Sequence, residues 1–316
     1  GSDWYLVEVS RLCAISVDLD AISSYRAIHG LDPGQTTPDP VLRLGVSRLS
    51  QWAQDEGLPL TWFVVGRDLD DSLFADSMFG LCRRGHELGN HSLDHFYDLT
   101  RRDQATIRDQ IWLSSERLSR LTGRSAHGFR APGYTLSEEL LDVLKELRVP
   151  YDSSLFPCPI YYAAKAVALF GQRLFGRNSA AILGKPQVLT ACTRPYRMGS
   201  AYQEDEHGLI EIPIQVTRGL RLPLIGTSMV LLGARGARAL VQQVVGERLL
   251  NLELHGIDAL DASDGLGELA AVQRDLRIPW RSKLGIFSGV VRQLKQAGYL
   301  FVTLQDLAFA VSPAAE

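Results

Sequence analysis

The stretch Gly85-His86-Glu87-Leu88-Gly89-Asn90-His91-Ser92-Leu93-Asp94-His95 decides how the rest of this chain is read. It puts two imidazoles four positions apart, directly after a short run, 86–90, that has the character of a strand. If the chain turns helical at Asn90, His91 and His95 share one face. Neutral imidazoles so placed can take one divalent ion from the same side. Zinc with two His and one carboxylate keeps a position for water. A lone H-x-x-x-H is more often a helix cap or a polar filler, so the reading depends on what the flanking chain brings to it.

Towards the N-terminus, residues 12–17 form a compact apolar run ending in Asp18-Leu19-Asp20. This reads as a buried strand that delivers two carboxylates at its C-terminal end. Alternation puts Asp18 and Asp20 on one face if the strand persists. A second strand is expected over 60–66, between helical patterns at 41–56 and 72–84. Past the histidines, a helix over 103–121 stops at Gly123. Short strands follow at 128–132 and 149–153, with a helix opening at Ser137 between them. Strand and helix alternate throughout, which argues for a parallel sheet, open or closed into a barrel.

The rhythm breaks over 157–208, where an apolar helix from Ile160 to about Phe175 stands out. It resumes with strands at 210–216, 249–254 and 299–303 and helices at 234–245 and 282–297. The expectation is one α/β domain over residues 1–316: a distorted, TIM-barrel-like (β/α) barrel of about seven or eight strands, with a helical insertion at 157–208.

The bulk properties fit. A chain of 316 residues with 46% hydrophobic and 22% charged content can bury a sizeable core. A formal net charge of −3 gives no electrostatic reason to expect nucleic acid, and that class is dropped. Cys13, Cys82, Cys158 and Cys192 are widely spaced, which suits reduced thiols in a cytoplasmic setting. No run of eighteen apolar residues is present. Gly1-Ser2 reads as a cloning scar, so a native leader stays open.

Four polar clusters now follow the C-terminal ends of separate strands: Asp18 with Asp20, His91 with His95, Arg130, and His255. In a parallel barrel those ends converge on the face that carries active sites. On these residues the chain resembles the polysaccharide deacetylase family, the NodB-homology deacetylases of carbohydrate esterase family four. Ser16-Val17-Asp18-Leu19-Asp20 resembles its first motif, His91-Ser92-Leu93-Asp94-His95 its H-[ST]-x-x-H motif, Phe129-Arg130-Ala131-Pro132 its R-x-P motif, and Leu254-His255 its late L-H motif.

The resemblance implies Zn2+, or Co2+, Ni2+ or Fe2+, on Asp20, His91 and His95, with Asp18 as base. It implies Arg130 pairing with Asp18, the Gly133 backbone N–H as oxyanion donor, and His255 as acid for the leaving amine. Leu254 would line the acyl pocket, with Tyr134 and Asp152 beside the substrate. Asp152, Asp258 and Asp261 are the candidates for the acid that tunes His255. His29, His86, His127 and His207 read as structural or solvent-facing.

The reaction expected is removal of an N-acyl group, acetyl first, from an amino sugar by metal-activated water. Segment 151–157, Tyr-Asp-Ser-Ser-Leu-Phe-Pro, resembles members tied to exopolysaccharide or lipid-linked sugars. The apolar stretches at 157–184 and 220–232 add an expectation of a lipid-linked sugar met at the inner face of a membrane. Deformylation of a lipid-linked amino sugar, a sugar-binding barrel without turnover, and a two-metal phosphoesterase stay open as alternatives.

Overall fold

The computed structural model describes residues 11–34, 38–125, 127–174 and 179–311. Its centre is strand β1 (Arg11–Asp18), flanked on one side by β7 (Leu249–His255) along its whole length. On its other side β1 pairs with two strands in turn. The C-terminal strand β8 (Tyr299–Val302) takes Arg11 to Ala14, and β2 (Thr61–Val64) takes Ser16 to Asp18. Strand β3 (Glu87–Asn90) lies outside β2, and all of these pairings are parallel.

Beyond β3 the ladder thins to single parallel bridges, Asn90 with Phe129, Phe129 with Asp152, and Asp152 with Glu211. Glu211 ends β6 (Leu209–Glu211), and four residues later the Gln215 N–H donates to the Asn251 carbonyl of β7 at 2.9 Å. The strands therefore follow one another around a distorted α/β barrel, with no continuous ladder closing it. Strands read at 128–132 and 149–153 are each reduced to a single bridging residue, Phe129 and Asp152, with one bridge on either side. At Gly128 a Cβ would stand 2.0 Å from the Tyr151 ring, so a side chain there would push these two segments apart.

Side-chain parity explains the layers. On β1, Cys13, Ile15, Val17 and, just beyond it, Leu19 belong to the large apolar cluster, as do Leu250, Leu252 and Leu254 of β7. The alternate residues face the interior, where Ser16 Oγ bonds Asn251 Oδ1 at 3.1 Å. One end of the interior is filled by Ala14, Phe63, Tyr151 and Ile212 together with Leu304 and Leu307 of the last helix (Leu304–Val311). The opposite end, where β1, β3 and β7 terminate, holds the polar clusters.

The interrupted region contains the helix Pro159–Leu174 and a small antiparallel sheet, β4 (Tyr196–Ser200) between β5 (Gln203–Glu204) and β6. The helix was legible from its apolar run, with the expected end at Phe175 lying outside the described residues. The hairpin was not legible, because its strands are short and half-exposed.

Candidate metal and acid–base site

The turn after β3 does not become helical. His91 and His95 instead meet through a loop in which Ser92 (φ 63°) and His95 (φ 55°) are left-handed. Local side-chain bonds hold that loop: Asn90 Oδ1 accepts the Ser92 N–H at 2.9 Å and Ser92 Oγ accepts the His95 N–H at 3.1 Å. Such bonds offer the backbone an alternative to helix. The expected convergence of the two imidazoles is therefore reached by a different local structure.

Asp20 Oδ1 lies 3.2 Å from His91 Nε2 and 2.9 Å from His95 Nε2, all three residues being buried. One donor atom from each stands within 4.8 Å of the others. His91 donates its Nδ1–H to the Arg130 carbonyl at 2.7 Å, leaving the Nε2 lone pair directed at the cluster. Ser24 Oγ stands 3.4 Å from His95 Nδ1. Asp20 Oδ1 and His95 Nε2 have no hydrogen-bond partner although buried. Burial by itself would raise the Asp20 carboxyl, but the imidazoles of His95 and His91 hold it well below the usual carboxylate range. Two imidazole nitrogens and one carboxylate oxygen, gathered in a buried cluster, fit a divalent ion with three protein ligands.

Asp18 leaves the same strand end towards Arg130, whose Nη1 donates to Asp18 Oδ1 at 2.6 Å. The guanidinium is fully buried and fixed by further donation to Ser16 Oγ, Ser153 Oγ and the Ser153 carbonyl, over the Phe63 ring. Asp18 Oδ2 is 3.8 Å from His91 Nε2, which sets the second carboxylate beside the metal cluster without merging with it.

His255 is the direct neighbour of Asp18 across the β1–β7 pairing. The acid beside it is Glu253, two residues earlier on β7 and therefore on the same face. His255 Nε2 is 3.7 Å from Glu253 Oε1, and the Tyr134 hydroxyl donates to that oxygen at 2.5 Å while lying 3.2 Å from His255 Nε2. Burial would lower the His255 imidazole, but Glu253, Asp18 and Asp20 raise it to about 9. Burial pushes Glu253 up to about 7.

None of the three expected acids takes this place. Asp152 is bound up with Glu211 on the neighbouring segment, where the two buried carboxyls are both pushed upward. Its Oδ1 accepts from Ser154 Oγ at 2.6 Å, and Ser154 Oγ accepts the Ala131 N–H at 2.8 Å, so Asp152 braces the turn at Arg130. Asp258 accepts the His255 backbone N–H at 2.8 Å, which fixes the turn after β7. Asp261 caps the turn at Ser263 and Trp280.

Leu254 is also displaced from its expected place. One step out of phase with Glu253 and His255, it packs in the outer apolar cluster with Leu252, so it does not line an acyl pocket. Tyr134 does reach the site, by its hydroxyl. Gly133 takes φ 67° beside Tyr97, whose ring lies 4.8 Å from that of His95. Of the other histidines, His86 accepts the Leu60 N–H at 3.0 Å, His127 bonds the Leu88 carbonyl at 3.0 Å, His29 is half-buried, and His207 is exposed beside Glu206. Asp18, Glu253 and His255 also stand within 4.8 Å of one another. Arg130 already places a positive charge on Asp18 there, which opposes a second cation. A cavity of about 580 Å³ opens outward from His95 and Tyr97 to Arg101.

Residues 44–151 match the family model described as polysaccharide deacetylase. Over 150 residues the chain is 29% identical to a peptidoglycan deacetylase of Helicobacter pylori, covering 46% of this chain and 49% of that one. The chain thus spans about half the length of the curated relatives it matches. In three dimensions it is similar to a Mycobacterium smegmatis protein assigned to the polysaccharide deacetylases, with a TM-score of 0.57, 16% identity and coverage of 96% and 91% of the two chains. It is also similar to the Xyl-CE4 domain of a multidomain xylanase from the hindgut metagenome of Trinervitermes trinervoides, with a TM-score of 0.50, 15% identity and coverage of 97% and 95%.

Proposed function

From a chain that belongs to the polysaccharide deacetylase family, the NodB-homology carbohydrate esterases of family four, we propose a metal-dependent hydrolase that removes an N-acyl group, acetyl first, from an amino sugar. The observation that carries this reading is the division of labour at one strand end. Asp20 faces two imidazoles, while Asp18 is held apart from them by a buried guanidinium.

A divalent ion on Asp20, His91 and His95, Zn2+ by its donor set, would supply Lewis acidity to the acyl carbonyl and to water. Asp18, paired with and oriented by Arg130, takes the proton of the attacking water. The Gly133 N–H is the proposed donor to the developing oxyanion. As the carbon–nitrogen bond breaks, His255 gives its proton to the amine, and Glu253 with Tyr134 keeps the imidazole protonated and oriented until then. The products are the carboxylic acid and the free amino sugar.

The finer part of the proposal is that the sugar is lipid-linked and met at the inner face of a membrane, with 157–208 an insertion within one catalytic domain. Ile160, Val167 and Phe170 support it, being 54%, 73% and 65% exposed at near-helical spacing on Pro159–Leu174. No described helix is long and apolar enough to cross a membrane, so the contact would be peripheral.

Mass spectrometry of N-acetyl and N-formyl sugars, free and lipid-linked, tests both levels. Loss of acyl mass only with metal supports the hydrolase, and the acyl group lost separates deacetylase from deformylase. A metal-loaded chain that bound these sugars and released no acyl group would leave the barrel as a binding protein. Faster turnover of soluble oligosaccharides than of any lipid-linked sugar would end the lipid-linked part.

A further inference from the structure

Lys165, on the helix Pro159–Leu174, brings its ammonium to the Gly133 turn. Its Nζ is 3.9 Å from where a Cβ on Gly133 would lie, a point only 3.1 Å from the Tyr97 ring that packs on His95. The ammonium also lies 5.6 Å from the centre of the Tyr161 ring. Among the described residues it makes no ion pair, whereas Arg26, Arg48 and Arg117 on the same chain all have carboxylate partners. Burial alone lowers the ammonium to about 8, with no neighbouring anion to raise it. A desolvated cation without a counter-charge is costly to keep.

Arg101 is a second cation without an ion pair among the described residues. Arg101 lines the cavity of about 580 Å³ that begins at His95 and Tyr97. It also lines a neighbouring cavity of about 350 Å³ together with Ala166, Leu169 and Phe170, on the helix that carries Lys165. Its guanidinium, exposed, has no ion pair among the described residues, in contrast to Arg102 beside it, which pairs with Asp98 at 3.0 Å.

We propose that Lys165 and Arg101 form a subsite for an anionic group, phosphate or carboxylate, carried by the sugar whose N-acyl group enters the metal site. The proposal rests on the amino-sugar reading above and adds the charge class of the substrate. Two positive groups, Lys165 beside the Gly133 turn and Arg101 on the cavity that begins at His95 and Tyr97, would hold the sugar by one end and present the other. Charge-assisted contacts of this kind favour an anionic ligand by about 10-fold or more over its neutral counterpart.

The test is calorimetric titration of the Zn2+-loaded full chain with N-acetylglucosamine, N-acetylglucosamine 1-phosphate and N-acetylmuramic acid, with inorganic phosphate titrated alone. The expected result is binding of at least one anionic sugar about 10-fold tighter than the neutral one. That preference should fall away in Lys165→Met and Arg101→Met and persist in Lys165→Arg, and the tighter of the two anionic sugars identifies phosphate or carboxylate. Equal binding of neutral and anionic sugars in the unaltered chain overturns the proposal. So does a preference untouched in both Met variants, which would put the anion on the metal, or inorganic phosphate binding as tightly as the sugar phosphate, which would make this a free-anion site. The readout is independent of turnover: anionic sugars held through Lys165 by a chain that releases no acyl group from any free or lipid-linked sugar would refute the hydrolase and leave the subsite standing.

Discussion

Arg130 donates from Nη1 to Asp18 Oδ1 at 2.6 Å, and both side chains are sealed from solvent. The two residues are 112 positions apart and come together because both stand at the C-terminal edge of the same barrel. The pair separates the two carboxylates of this strand end, since Asp18 is held by the guanidinium while Asp20 is left to the imidazoles.

Asp18→Asn should therefore keep its metal and lose turnover by about 10²–10⁴-fold, the range typical of a missing general base. Elemental analysis beside steady-state kinetics checks it. Loss of metal in the variant would mean that Asp18 is a ligand. Arg130→Met, which strands a buried carboxylate, should cost about 3–5 kcal/mol of stability in urea unfolding.

Asp20→Ala and His95→Ala should each abolish stoichiometric metal binding, because either change leaves two protein ligands where the site offers three. The unaltered chain should hold about one ion, and a chelator should remove activity that added Zn2+ restores. Two ions per chain would instead place a second metal on Asp18, Glu253 and His255 and revive two-metal phosphoester chemistry.

The alkaline limb of kcat/KM should report His255. Its folded value is raised to about 9, so the protonated, proton-donating form is present below that pH and is lost as pH rises through it. Glu253→Gln removes the nearest negative charge supporting that form, so the limb should move to lower pH. Tyr134→Phe, which keeps Glu253, should move it less. A limb that stayed in place in Glu253→Gln would detach Glu253 from His255.

His86 supplies a stability prediction away from the site. Burial and the Arg84 charge lower its imidazole to about 4, and its Nδ1 accepts the Leu60 N–H. With the folded value below the ordinary His value of about 6.5, the stability this group contributes is present above that pH and is lost as pH falls through about 4. His86→Leu leaves a buried N–H without an acceptor. It should cost about 1–3 kcal/mol near neutral pH. Its unfolding midpoint should then depend less on pH across that window than the parent's does.

What the sequence by itself determined are the properties that follow from near neighbours. Apolar runs and stop signals marked β1, β2 and the long helices, and the carboxylate and imidazole pairs at strand ends marked the site, because each depends on residues a few positions apart. The same parity rule could have found Glu253 in Asn251-Leu252-Glu253-Leu254-His255, where alternation sets it with His255 and turns Leu254 away.

Other features were decided only by the tertiary structure. Asp152 was drawn away from His255 by Glu211, which stands across a single bridge from it. The Tyr134 hydroxyl reaches Glu253 from 119 positions away. His91 and His95 meet through left-handed residues held by side-chain bonds, where helical spacing had been the expectation. In each case the partner is chosen by how strands are ordered around the barrel, and that order is set by burying the whole chain at once, which no local pattern encodes.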